Sequence, residues 1–178
     1  MITKFNEKVF VKNIKTSTKA LMALVNKVPS CSVLDDVRSI TKTDLFISDY
    51  SKKIYGVKFF EKIKKYVREY SKLHNHSEIR ISNFCFIKMK DQDQVSHHSS
   101  FESNFVGIYL LESSEKKHYI SFYDNDKSKD VKINMNKGDL VLFPSHLLRK
   151  FPDMKSKKQY TYIIFDFHLD RPKIYGKE

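Results

Sequence analysis

The sequence has no tryptophan and only 2 cysteines, 4 glycines and 4 prolines in 178 residues. Cys31 and Cys85 make neither a disulfide framework nor a zinc-ligand spacing, so the expectation is a reduced, intracellular protein. So little glycine and proline excludes collagen-like and low-complexity chains. No apolar run approaches the roughly 20 residues of a bilayer-spanning helix. Met1 to Ile14 alternates charge with single apolar residues and contains no signal-peptide apolar stretch. Together these predict a protein of the cytoplasm with no membrane partner. No glycine-rich phosphate loop, nucleophile elbow or Cys–His arrangement occurs. Arginine is scarce too: Arg38, Arg68, Arg80, Arg149 and Arg171 are the only five among 33 basic residues.

What the chain does have is core-forming material, with 40% hydrophobic and 13% aromatic residues. That excludes wholesale disorder and suits one domain spanning 1–178. The net charge is +12, which brings a polyanionic partner into consideration. The charge is uneven. Residues 1–90 carry 19 basic and 8 acidic side chains, a net +11, and residues 91–178 carry 14 and 13, a net +1. Any electrostatic footprint therefore belongs to the N-terminal half. The shortage of arginine argues against base reading, which leans on bidentate guanidinium contacts.

Val9 to Ile14 reads as a short strand, and Ser17 to Val28 as a helix with Ala20, Leu21, Leu24 and Val25 on its apolar face. Ser17 or Thr16 is its expected cap. Ser30 to Tyr50 reads as loop. Val57 to Leu73 is the clearest helix, with Phe60, Ile63, Val67 and Tyr70 on one stripe. Lys58, Lys62, Lys65, Arg68 and Lys72 fall mostly off it. They read first as a solvated face and second as phosphate or nucleic-acid contacts. After residue 78 the period changes from 3.6 to 2. Ile79 to Met89, Phe105 to Leu111, His118 to Asp124, Val131 to Met135, Leu140 to Phe143 and Gln159 to His168 read as strands, with turn-forming clusters between them. The fold class expected is α+β, mainly β: a sandwich or jelly roll over 79–170, backed by a basic N-terminal part over 1–78, with a tail over 171–178.

Seven histidines are the visible source of chemistry. His74-Asn75-His76 sits in a helix-to-strand turn and reads as exposed and polar. His118 and His168 lie on strand patterns without an evident partner. His97-His98, followed by Glu102, lies between two strands, where a jelly-roll metal site draws its first ligands. Non-haem iron needs two imidazoles and one carboxylate on one face. Glu102 supplies a carboxylate, and His146 is the candidate third ligand from far along the chain.

The strand half resembles the phage-type 2-oxoglutarate/Fe(II)-dependent oxygenases over roughly residues 35–168. The matching runs are Ile81-Ser82-Asn83-Phe84, Ser96 to Ser100, Phe105-Val106-Gly107-Ile108-Tyr109-Leu110, and Tyr160 to Phe167. The most specific is Gly138-Asp139-Leu140-Val141-Leu142-Phe143-Pro144-Ser145. The resemblance implies a double-stranded β-helix, a cupin-like jelly roll of two four-stranded sheets with flanking helices. It also implies where the site residues fall. The first metal ligand lands on His98, the second on Ser100, the distal histidine on Arg149 and the 2-oxoglutarate-binding arginine on about Tyr160. Tyr109 is counted with these pocket positions. Three of the four ligand-type positions are thus occupied by residues that do not serve. A serine hydroxyl is a poor iron ligand, a guanidinium repels a metal, and a phenol is no bidentate carboxylate partner.

Three readings follow. The first is a degenerate member of this fold without metal or co-substrate, phage-encoded, acting as a binding or structural module for another virion or host protein. The second is an active oxygenase using Fe(II) and 2-oxoglutarate, with His97 or His98, Glu102 and His146 as a rearranged triad. The third is nucleic-acid binding through Lys4, Lys8, Lys12, Lys15, Lys19 and the Lys58 to Lys72 helix.

Overall fold

A computed structural model describes residues 9–25, 58–75, 79–89, 103–115, 118–124, 128–152 and 159–169. Among the described residues two helices precede most of the strands: α1 over Lys19–Val25 and α2 over Lys58–Leu73. The strands are β1 (Phe10–Asn13), β2 (Ile79–Met89), β3 (Phe105–Ser113), β4 (His118–Asp124), β5 (Lys129–Met135), β6 (Asp139–Pro144), β7 (Arg149–Lys150) and β8 (Tyr160–Leu169). They form a five-stranded sheet in the order β1-β6-β3-β8-β2 and a three-stranded sheet in the order β5-β4-β7. Every recorded pairing is antiparallel. From β3 onward the chain passes from the larger sheet to the smaller and back twice. That wrapping is a double-stranded β-helix. Among the described residues the division is five-plus-three where four-plus-four was expected, and β1, paired with β6, is the additional strand of the larger sheet.

The alternation of side chains builds two cores. One lies between the sheets, where Val106, Ile108 and Leu110 of β3 and Tyr160, Tyr162 and Ile164 of β8 meet Ile120 and Phe122 of β4. The other lies between the larger sheet and the helices, where Tyr109, Leu142, Phe165 and Phe167 meet Phe59, Ile63, Val67 and Tyr70. Burying each such side chain stabilises by about 1.5–3 kcal/mol. Gly107 marks the tightest point of the second core. A Cβ there would stand 2.8 Å from the Phe167 ring and 2.9 Å from Leu142.

A strict period of 2 does not carry through β2. Ile79 and Ile81 face the helices, and so does Phe86, although odd and even positions of a strand point oppositely. A register shift between Ile81 and Asn83 changes the parity and resolves this.

Helix α2 packs through Phe59, Ile63, Val67 and Tyr70, so three of the four expected stripe residues are buried and Phe59 takes the place expected of Phe60. Phe60 stands half-buried at the margin, edge-on to Phe165. Glu61 in the first turn and Lys72 in the last complement the helix dipole. Asn75, at φ 55°, ends the helix in the left-handed region. Helix α1 starts at Lys19, two residues beyond the expected Ser17, and Leu21 is buried against the sheet.

Candidate functional site

The short strand β7 positions the most consequential side chain. Arg149 is its first residue and stands opposite Phe122 of β4. Both belong to the face that looks between the sheets. Arg149 is 2% exposed, and its guanidinium carbon lies 5.5 Å from the centre of the Phe143 ring. A planar, weakly hydrated cation is the kind that can stack on an aromatic face in such a place. The turn that delivers β7 is tied down at its start. Ser145 donates its hydroxyl to the carbonyl of Ser103, and its amide bonds to the Asn104 carbonyl at 3.0 Å. Ser103 is the first described residue after the segment that holds His97, His98, Ser100 and Glu102.

Two levels further along the same interior lies a polar network. Phe151, following β7, packs against the Tyr162 ring at 4.6 Å. The Tyr162 hydroxyl and His118 Nε2 are 2.5 Å apart. The His118 ring lies 4.3 Å from that of Tyr160, whose hydroxyl donates to Glu115. His118 is 2% exposed, and its Nδ1 has no hydrogen-bond partner among the described residues. Burial pushes its pKa down to about 4, against the opposing pull of the Glu115 carboxylate, so the ring is neutral at pH 7. Burial raises the Tyr160 and Tyr162 phenols, helped at Tyr160 by the Glu115 bond, so both stay protonated.

Arg149 and Tyr160 both face the space between the sheets. Tyr109 does not. It belongs to the opposite face of β3, edge-on to Phe59 at 5.2 Å, because odd positions of β3 point to the helices. Burial and the Asp139 carboxylate push its phenol up to about 12. His146 is exposed on the turn between β6 and β7, while Leu147 and Arg149 on either side are buried. His97, His98, Ser100 and Glu102 lie outside the described residues, as do His76 and the Lys58 side chain. Lys62, Lys65, Arg68 and Lys72 are exposed on α2. His74 is half-buried, its ring 4.3 Å from that of Tyr70. Among the described residues no group of three or more His, Cys, Asp or Glu is placed to hold a metal ion. The network of His118, Tyr162, Tyr160 and Glu115 is the feature that sequence reading missed. Its signal was parity: His118 shares the inward phase of Ile120 and Phe122, and Tyr160 shares that of Tyr162 and Ile164.

No family model matches the sequence, and no curated protein is similar to it in sequence. Solved structures are similar in fold. The viral collagen prolyl hydroxylase of Paramecium bursaria Chlorella virus-1, in complex with 2-oxoglutarate, matches with a TM-score of 0.59 at 14% identity, over 90% of this chain and 96% of that one. An oxidoreductase of the 2-oxoglutarate/Fe(II) oxygenase family from Burkholderia pseudomallei matches at 0.64 and 11%, over 85% and 77%. HygX of Streptomyces hygroscopicus, with nickel and 2-oxoglutarate bound, matches at 0.60 and 8%, over 90% and 82%. The fold is therefore that of the 2-oxoglutarate/Fe(II) oxygenases. At such identities the likeness extends to the fold alone.

Proposed function

We propose that this chain is a non-catalytic binding module on an oxygenase fold, its metal pocket replaced by a packed and hydrogen-bonded interior. The observation that carries this reading is Arg149, 2% exposed on the first residue of β7, where the sequence resemblance puts the distal metal ligand. A guanidinium has no lone pair to offer a metal and stays protonated at every physiological pH. Like unit charges about 4 Å apart in a protein repel by roughly 4 kcal/mol, and a divalent ion doubles that.

The co-substrate end fits no better. At the position implied for a carboxylate-binding arginine stands Tyr160, whose hydroxyl is already given to Glu115. A carboxylate beside that point repels another carboxylate. Phe151, Tyr162 and His118 occupy the interior next to it. These residues do not fit Fe(II) with 2-oxoglutarate.

Anaerobic titration of the purified protein with Fe(II), or with Mn(II) as a spectroscopic stand-in, tests this with and without 2-oxoglutarate. The expected outcome is no stoichiometric binding up to millimolar metal. Tight one-to-one binding strengthened by 2-oxoglutarate would overturn the reading and favour an oxygenase whose ligands come from His97, His98, Glu102 and His146.

A further inference from the structure

We infer that the outer face of α2, together with the end of β1, is a docking surface for the phosphate backbone of a nucleic acid. This surface lies outside the space between the two sheets and does not depend on what that space binds. Helix α2 spends its apolar stripe on the larger sheet, so its opposite face is left to solvent. That face carries Lys62, Lys64, Lys65, Arg68 and Lys72 against only Glu61 and Glu69. Both acids have a cation beside them. Lys64 stands 3.0 Å from Glu61, and Lys12 of β1 stands 4.0 Å from Glu69.

The structure also joins two segments that the sequence keeps 47 positions apart. Lys62 donates to the backbone carbonyl of Lys15, two residues past the end of β1, which ties that segment to the helix. Lys12 and Lys65 both lie over the ring of Tyr66, at 5.6 and 5.9 Å, which holds their stems beside the same surface. The result is one basic surface formed by Lys15, Lys62, Lys65, Arg68 and Lys72. Lys65, Arg68 and Lys72 follow at i, i+3 and i+7, a row of about 10 Å at 1.5 Å rise per residue.

The chemistry selects among polyanions. A basic amphipathic helix that binds a membrane needs its apolar face free to enter the bilayer, and here that face is buried in the core. Lysines outnumber arginine four to one on the surface, which suits point contacts to phosphate rather than bidentate reading of bases. The ligand class is therefore nucleic acid held through its backbone, without sequence preference.

The test is binding of a fluorescein-labelled 25-base-pair DNA of arbitrary sequence by the full chain, from about 50 to 200 mM salt. Each phosphate contact contributes about −0.9 to the slope of log affinity against log salt, so four to five contacts predict a slope near −4. Lys65→Gln, Arg68→Gln and Lys72→Gln combined should bring it to about −1 and weaken binding at 50 mM salt more than tenfold. Lys132→Gln with Lys137→Gln, exposed on and beside β5, should leave both within error. If the triple variant is not folded, Arg68→Gln alone should remove roughly one unit of slope. No binding at 50 mM salt would overturn the inference. So would an unchanged slope in the variants, or binding to phosphatidylserine vesicles in place of DNA.

Discussion

At the scale of single residues the interior is decided by protonation. His118 has an ordinary reference near 6.5, which burial lowers to about 4 in the folded chain. Between those values the unfolded chain takes up a proton that folded His118 refuses. Stability therefore falls as the pH drops from about 6.5 to about 4 and levels off below, when both states are charged. The stability at stake is about 3 kcal/mol. His118→Gln keeps a polar group beside Tyr162 and removes the titration. Urea unfolding at pH 7 and pH 4.5 should show a clear loss in the parent chain and a much smaller one in the variant. Equal losses in both would assign the acid sensitivity to other groups. His118 could be placed on a strand from its neighbours, Tyr119 to Asp124, but not its partner. Tyr162 lies 44 positions away, and nothing in either strand states which strand of the other sheet will face it.

At the scale of elements the turn between β5 and β6 holds two parts of the fold together. Gly138, at φ +89°, supplies the left-handed step that other residues rarely adopt. Asp139 then bonds the Asn136 amide at 2.7 Å, the Asn136 side chain at 3.3 Å and the Asn13 side chain at 2.7 Å. The last of these reaches β1, whose Asn13 faces Asp139 in the pairing with β6. Asp139→Ala should cost about 2 kcal/mol, since it leaves part-buried donors unmet. It should also speed hydrogen exchange at β1 more than at β4. A uniform change across both strands would mean that the turn does not specifically anchor β1.

The asparagine–glycine–aspartate cluster was legible as a turn because each residue type favours one locally. Strand β2 was legible to its end residues. Strand β7 was not, because two residues carry no period. It exists only because Arg149 and Lys150 find Phe122 and Ser121 waiting beside them. Tyr109 was set among pocket positions because the motif it belongs to lies on a pocket strand. Parity turns it to the helices instead.

At the scale of the whole molecule, the proposed loss of the metal site has a constructive test. Ser100→Asp with Arg149→His restores a carboxylate and an imidazole at the two positions that the resemblance assigns to metal ligands. The double variant should bind Mn(II) at micromolar concentrations, detected by loss of the free-ion electron paramagnetic resonance signal, while the parent chain does not. A folded double variant that binds no better than the parent would mean that the interior has changed beyond these two positions, and the fold would then carry no usable remnant of the site.

Periodicity and turn chemistry along the chain were enough to mark helices α1 and α2, most of the described strands and the jelly-roll class, because those signals are local and repeat every 2 or 3.6 residues. The motif at Gly138 to Ser145 was enough to point to an oxygenase fold and to the unusual residue at position 149. The sequence also showed where the basic charge is concentrated. It could not show that Lys15 and Lys62 meet, that Lys12 stands beside Glu69, or that His118 is sealed beside Tyr162. Those facts depend on which faces of the sheets and helices are pressed together. Contacts between residues tens of positions apart are set by packing, and packing leaves no local period to read.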